Sequence, residues 1–130
     1  MDKTVASAQE AVADIVARST IAVGGFGLCG IPSVLLEALL RSEADDLEVF
    51  SNNAGVEDAG VGLLLTAGRL RRIVASYVGE NREFARQFLS GELGVLASII
   101  FGCPSNFAMP FAANTSATRP DSATAATHMI

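Results

Sequence analysis

Residues 20 to 32 read Thr20-Ile21-Ala22-Val23-Gly24-Gly25-Phe26-Gly27-Leu28-Cys29-Gly30-Ile31-Pro32. Ile21, Ala22 and Val23 form a short apolar run of the kind a buried strand uses. Gly24, Gly25, Gly27 and Gly30 follow at once, and residues without a Cβ let the backbone turn tightly and approach another group closely. Pro32 suits the first turn of a helix, where a missing N–H costs little. Ser33–Leu40 supplies that helix, with Val34, Leu35, Leu36, Leu39 and Leu40 as its apolar side. Strand, glycine loop and helix N-terminus in this order make a surface able to receive an anion or a developing negative charge.

The same alternation continues on either side. Before the strand, a helix is expected over Ala6–Val16, with Ser7 and Glu10 at capping-box spacing and Val5, Ala8, Val12, Ile15 and Val16 facing inward. After it come a strand at Leu47–Phe50, a short helix at Val61–Thr66 closed by Gly68, and a strand at Ile73–Val78. A helix over Arg82–Leu89 follows, capped by Asn81, with Phe84, Ala85, Phe88 and Leu89 as its core stripe and Ser90-Gly91 as its end. Each strand precedes a helical segment, and crossovers between parallel strands are nearly always right-handed. The fold class is therefore α/β, a parallel sheet with helices on both faces.

Composition sets the outer limits. A chain of 130 residues is one small domain, able to bury about two-thirds of its unfolded surface. Half its residues are hydrophobic and none is tryptophan, so the core is mostly aliphatic. A net charge of −5 argues against non-specific binding to nucleic acid. Two distant cysteines, Cys29 and Cys103, point to a reducing compartment rather than a disulfide framework. With no basic stretch leading into an apolar one at the N-terminus, a cytoplasmic location is expected. Gly94–Phe101 suits one more strand, but Gly102, Pro104 and Pro110 break the apolar run well short of the ~20 residues a membrane span needs. Residues 94 to 118 carry no charge, and Ala112–Thr127 is mostly alanine, threonine and serine, a composition expected to stay disordered.

The glycine loop admits three readings from its residues: a tight turn without ligand, an oxyanion or acyl cradle, and a dinucleotide loop. Gly25, Gly27 and Gly30 satisfy G-x-G-x-x-G, but that fingerprint needs an acid ending the second strand. Leu47–Phe50 runs instead into Ser51-Asn52-Asn53, and Glu48 sits inside the strand. Asn52 and Asn53 read as a turn at a carboxyl strand end, where neutral amides can hydrogen-bond a carbonyl or carboxylate. Gly79-Glu80-Asn81 is the third strand-to-helix junction, and Glu80 is a polar residue beside the same crevice. Arg69, Arg71 and Arg72 read as a solvated strand entrance at the opposite ends. Cys29 reads as a small packed residue, with no base near it in sequence. The single histidine, His128, completes neither a nucleophile–base set nor a metal site.

Longer strings narrow the choice. Gly24-Gly25-Phe26-Gly27-Leu28-Cys29-Gly30-Ile31-Pro32 after an apolar strand resembles the first-subunit signature of family I coenzyme A transferases, the 3-oxoacid (succinyl-CoA:acetoacetate) type above all. Ser51–Val56, Gly62–Leu65, Ser76–Asn81 and Ser90–Leu93 agree in order, so the resemblance covers about residues 4 to 93. It implies a three-layer fold whose A-subunit part spans residues 1–93, with 94–130 a divergent tail and the fold incomplete at its C-terminus through truncation or frameshift.

It also implies a partner B subunit carrying the nucleophilic glutamate in S-E-N-G. Here Glu80 lies in G-E-N-R, so that role is not carried onto it. Coenzyme A is then substrate rather than bound cofactor, and the reaction moves it between an acyl-CoA and a 3-oxo acid. Gly25, Gly27, Gly30, Asn52, Asn53 and Glu80 become the residues that shape the acyl-CoA pocket. No catalytic residue, metal, nucleic acid or membrane is expected for this chain, and alone it should be inactive. Two other classes stay open: a non-catalytic remnant or interaction domain, and a nucleotide- or sugar-phosphate-binding domain.

Overall fold

The structure is a computed structural model that describes residues 4–78, 81–97 and 127–130. In chain order the elements are α1 (Ala8–Ala11), β1 (Thr20–Val23), α2 (Ser33–Arg41), β2 (Leu47–Asn53), α3 (Val61–Thr66), β3 (Leu70–Tyr77), α4 (Arg82–Ser90), β4 (Gly94–Ala97) and β5 (Thr127–Met129). The strands form one sheet in the order β4-β3-β2-β1-β5, and every neighbouring pair is parallel.

Strand alternation decides which side chains are buried. Ile21, Val23, Leu47, Val49, Ile73 and Ala75 point to one face and join Leu36, Leu39, Val61, Leu64, Leu65 and Phe84 in a single cluster. Leu36, Leu39, Leu64 and Leu65 are fully buried, each adding about 1.5–3 kcal/mol over an exposed side chain. α1 packs beside α2, α2 beside α3 and α3 beside α4, so the described helices make one layer on that face. The parallel α/β architecture is the one expected; a helical layer on the second face involves no described residue.

Several elements differ in extent from the sequence reading. α1 stops after one turn. Ser7 Oγ accepts from Glu10 N at 3.1 Å and Glu10 Oε2 from Ala6 N at 2.8 Å, as the capping spacing implies. Beyond Ala11, however, three-residue turns (Ala13 N to Glu10 O, Ile15 N to Val12 O) carry both Val12 and Ile15 into the core. Arg18 then takes φ +67°, and its N–H donates to Asp45 O at 3.0 Å. β2 runs past Phe50 because β3 is long enough to pair Asn53 with Tyr77. Thr127–Met129 pairs with β1, where the tail's composition predicted no element, and Ile130 N donates to Ala22 O at 2.8 Å. Residues 98–101 of the expected fourth strand, and Ala112–Ala126, lie outside the described residues.

The helix stripes are narrower than expected. Val34 is 68% exposed and Leu89 83%, while α4 turns Phe84 and Gln87 inward. Gln87 is buried because its amide donates to the Leu65 carbonyl at 2.8 Å, tying α4 to the end of α3. The arginines at the start of β3 are structural ties rather than a solvated entrance. Arg69 donates to Ala44 O and Leu40 O, satisfying carbonyls where α2 ends. A register shift between Leu47 and Glu48 lets Arg71 and Arg72 both reach Glu48, at 3.0 and 3.4 Å. Among the described residues no helix is long and apolar enough to cross a membrane.

Three stability outcomes follow from these contacts. Arg18 is an L-residue in left-handed backbone, a strain of about 1 kcal/mol or more that glycine lacks. Arg18→Gly should raise the urea midpoint, even after losing the exposed pair with Asp46. A Cβ on Gly62 would run into the Val56 carbonyl, while one on Gly68 (φ +67°) meets nothing within 4 Å. Gly62→Ala should cost about 3 kcal/mol from overpacking and Gly68→Ala only about 1 kcal/mol, so equal midpoints would refute the tight loop-to-α3 contact.

The third outcome concerns pH. The Arg86 guanidinium, helped by the Gln87 amide, holds the Glu83 carboxyl at about 2 against an ordinary 4.5. Because the folded value is the lower one, this stabilisation is full above about 4.5 and is lost as pH falls through about 2. An NMR titration of the Glu83 carboxyl should show Arg86→Ala returning it toward the ordinary range.

Candidate functional site

Parallel pairing brings the carboxyl ends of β1, β2 and β3 to one edge, and three loops leave from it. After β1 the chain makes a two-residue hairpin, in which Phe26 and Cys29 exchange backbone hydrogen bonds of 2.9 Å. Gly25 stands at φ +121°, where a Cβ would come within 2.6 Å of Ile31 Cγ1 and 3.0 Å of Cys29 O. No side chain fits there, which is why the sequence carries glycine. Gly30 closes the hairpin and Pro32 leads into α2.

A second hairpin of the same design follows β2. Gly55 and Gly60 repeat the five-residue spacing of Gly25 and Gly30, Val56 and Ala59 form the matching bridge, and Asp58 takes φ +59°. The sequence reading missed this loop, although G-V-E-D-A-G carries the same glycine spacing as G-F-G-L-C-G. The two hairpins touch: a Cβ on Gly60 would lie 2.9 Å from Ile31 Cδ1 and 3.5 Å from Leu28 Cδ2. The second hairpin reaches the third junction through Glu57, whose Oε1 accepts from Arg82 N at 3.3 Å at the N-terminus of α4. Buried Asn81 completes that terminus, its Oδ1 accepting from Phe84 N at 3.0 Å.

The expected site residues fall as follows. Gly25, Gly27 and Gly30 lie together in the first hairpin, each at positive φ. Asn52 and Asn53 are at the same edge, since Val23 pairs with Ser51 and the next two residues continue upward. They are strand residues, however, and alternation sends them to opposite faces. Asn53 shares the helix-covered face, and its Oδ1 accepts from Gly55 N at 2.9 Å, leaving only the Nδ2 donor for a ligand. Asn52 shares the face of Phe50 and makes no side-chain hydrogen bond among the described residues. Glu80 and Gly79 lie outside the described residues.

Two readings change. Cys29 is exposed at the hairpin rather than packed. Glu48, the only acid in β2, is held by Arg71 and Arg72, away from the carboxyl edge, and is not placed to bind a ribose. His128 lies in β5 with Nδ1 3.4 Å from Asp14 Oδ2, level with Ile21 and apart from the hairpins. Among the described residues no group of three or more His, Cys, Asp or Glu converges on a metal position. A shallow groove between α1 and the end of α2, lined by Val12, Ile15, Ala38 and Arg41, is at the amino edge and plays no part in this cluster. What the carboxyl edge offers is glycine backbone, one free asparagine amide, the second asparagine's donor group and an apolar rim. Phe26, Leu28, Val56 and Tyr77 form that rim, between 48% and 75% exposed.

Comparison with known proteins agrees with this arrangement. The family profile described as coenzyme A transferase matches residues 5–102. A Mycobacterium tuberculosis (strain ATCC 25618 / H37Rv) protein, named as the probable A subunit of a succinyl-CoA:3-ketoacid coenzyme A transferase, is 64% identical over 95 residues, covering 73% of this chain and 38% of that protein. The Homo sapiens protein named "Succinyl-CoA:3-ketoacid coenzyme A transferase 2, mitochondrial" is 58% identical over 84 residues, 65% of this chain and 16% of its own length. This chain thus spans well under half the length of the curated relatives it matches. Among solved structures, an acyl-CoA transferase from E. coli O157:H7, in a thioester complex with CoA, superposes with a TM-score of 0.59 at 21% identity. It covers 72% of this chain and 20% of that one, a likeness of fold. By its sequence match over three-quarters of its length, and with a fold to suit, the chain belongs to the coenzyme A transferase family.

Proposed function

We propose that this chain forms the carboxyl-edge part of the A subunit of a 3-oxoacid CoA-transferase and works with a B subunit that brings the nucleophilic glutamate. The observation that carries the reading is the paired hairpin at Gly25–Gly30 and Gly55–Gly60, set beside Asn52, Asn53 and the N-terminus of α4. Relatives named as the A-type chain of a two-chain enzyme support the partner. So does the rim of Phe26, Leu28, Val56 and Tyr77, apolar side chains gathered at one edge of the sheet.

In this reading the partner's glutamate carboxylate attacks the acyl-CoA thioester and expels CoA as thiolate, leaving an acyl–glutamyl anhydride. The thiolate returns to the glutamyl carbonyl, releases the first acid and leaves a glutamyl-CoA thioester. The 3-oxo acid then repeats the two steps in reverse order and departs as its CoA ester. Each attack puts negative charge on a carbonyl oxygen. The work of this chain is to meet that charge with fixed donors, the Asn52 amide and the Asn53 Nδ2, and to let the thioester lie against backbone that has no side chains. Gly25, Gly27 and Gly30 supply that backbone, and Glu80 orders the third loop beside it.

A domain exchange tests the reading. Residues 5–93 replace the matching segment in a full-length A-type relative, which is combined with its B-type partner and assayed for CoA exchange between succinyl-CoA and acetoacetate. The chimera should turn over, and Gly25→Val within it should lose about 100-fold, the scale of a misplacement of about 1 Å. Asn52→Ala should lower kcat more than it raises KM, because its amide serves the charged intermediate. A folded, partner-bound chimera without exchange would overturn the reading, as would turnover by this chain alone.

A further inference from the structure

The second face of the sheet carries an apolar row in register, Ala22, Phe50, Val74 and Leu96, one residue from each of β1 to β4. Phe50 is 41% exposed and Leu96 39%, and Val74 stands outside the core cluster on the other side. All four described helices pack on the first face.

What belongs on this row follows from where the chain leaves and re-enters the sheet. β4 is one edge and β5 the other, and both run parallel to β1. The chain therefore leaves the carboxyl end of β4, returns to the amino end of β5 and passes the full width of the sheet within residues 98–126. From β1 to β4 each connection steps one way and puts its helix on the first face. The connection from β4 to β5 steps the other way. With the same right-handed sense, which about 98% of such crossovers keep, it passes over the opposite face.

We propose that residues 98–126 pack across the second face and cover the row from Ala22 to Leu96 with Ile99, Ile100, Phe101, Phe107, Met109 and Phe111. The chemistry matches: no charge occurs between residues 94 and 118, as a segment laid on an apolar row requires. The length matches too. Four strand spacings of about 4.8 Å make about 19 Å, and 29 residues at up to about 3.3 Å each reach much further. The apolar residues come first in the segment, next to β4, and the polar stretch from Asn114 is left to reach β5. This accounts for a β5 at the far edge of a sheet whose other strands follow one another in order.

Proximity of Cys103 to the row is the test, in the full-length chain. Phe50→Cys, or the smaller change Ala22→Cys, is treated with a short bifunctional thiol reagent. Val34→Cys on α2, exposed on the helical face, is the comparison. Peptide mapping of the monomer fraction, which also separates links to Cys29, reads the pairs. Cys103 should link to position 50 or 22 at least about tenfold more than to position 34, since the effective concentration of two groups on opposite faces is close to nil. Equal linkage to position 34 would overturn the proposal, and so would no link to either row position. Links formed only between chains would also overturn it, giving the face to a second copy.

Discussion

The right-handed crossover is the constraint from which the rest of the molecule follows. Three successive connections, each stepping the same way across the sheet, put α2, α3 and α4 on one face and all their preceding loops at one edge. Neither outcome was selected residue by residue. Once β1, β2 and β3 lie parallel and in order, the glycine hairpin, the Gly55–Gly60 hairpin and the Asn81 terminus have to meet at the carboxyl edge. The core then lies under the helices, and the other face is left for whatever the chain does after β4.

Within that edge the governing fact is close approach of backbone to backbone. Gly25 against Ile31 and Cys29, Gly55 against Gly62, and Gly60 against Ile31 and Leu28 are contacts in which a Cβ would be too near its neighbour. They lock two hairpins and two helix starts into one surface with little side-chain bulk. Such a surface can lie flat against a thioester and present amide donors that need no reorientation when charge develops, which is where pre-set dipoles act most strongly. The acids and bases of the described chain are engaged elsewhere. Glu48 holds Arg71 and Arg72 at the amino end, Glu83 and Glu92 hold Arg86, and Glu57 supports the N-terminus of α4. A catalytic carboxylate supplied from outside is in keeping with that distribution.

Much of this was legible in local sequence because short-range physics decides it. Apolar runs of strand length, the Ser7–Glu10 cap, the Asn81 cap and the Gly91 stop each depend on a few neighbouring residues, and the strands and helices that they bound fall where the pattern puts them. The glycine string at residues 24–30 and the Ser51–Val56 block pointed to the family for a related reason: a backbone with no room for Cβ leaves few residue choices, so its pattern is specific.

Tertiary structure alone decided the rest. Gln87 looks like a surface residue on a helical wheel, and only the Leu65 carbonyl opposite it makes the inward position polar. Phe88, Leu89 and Val34 look like core by period, but a single layer of helices leaves their side of the helix open. Asn52 and Asn53 are adjacent in sequence and were read as one turn. The length of β3 turns them into strand, and the pleat then divides them between two faces. Arg71 and Arg72 share one carboxylate only because the ladder shifts by a residue beside Glu48. Local sequence determines which backbone a segment prefers; which of its faces meets another segment depends on partners tens of residues away, and no window of neighbouring residues contains them.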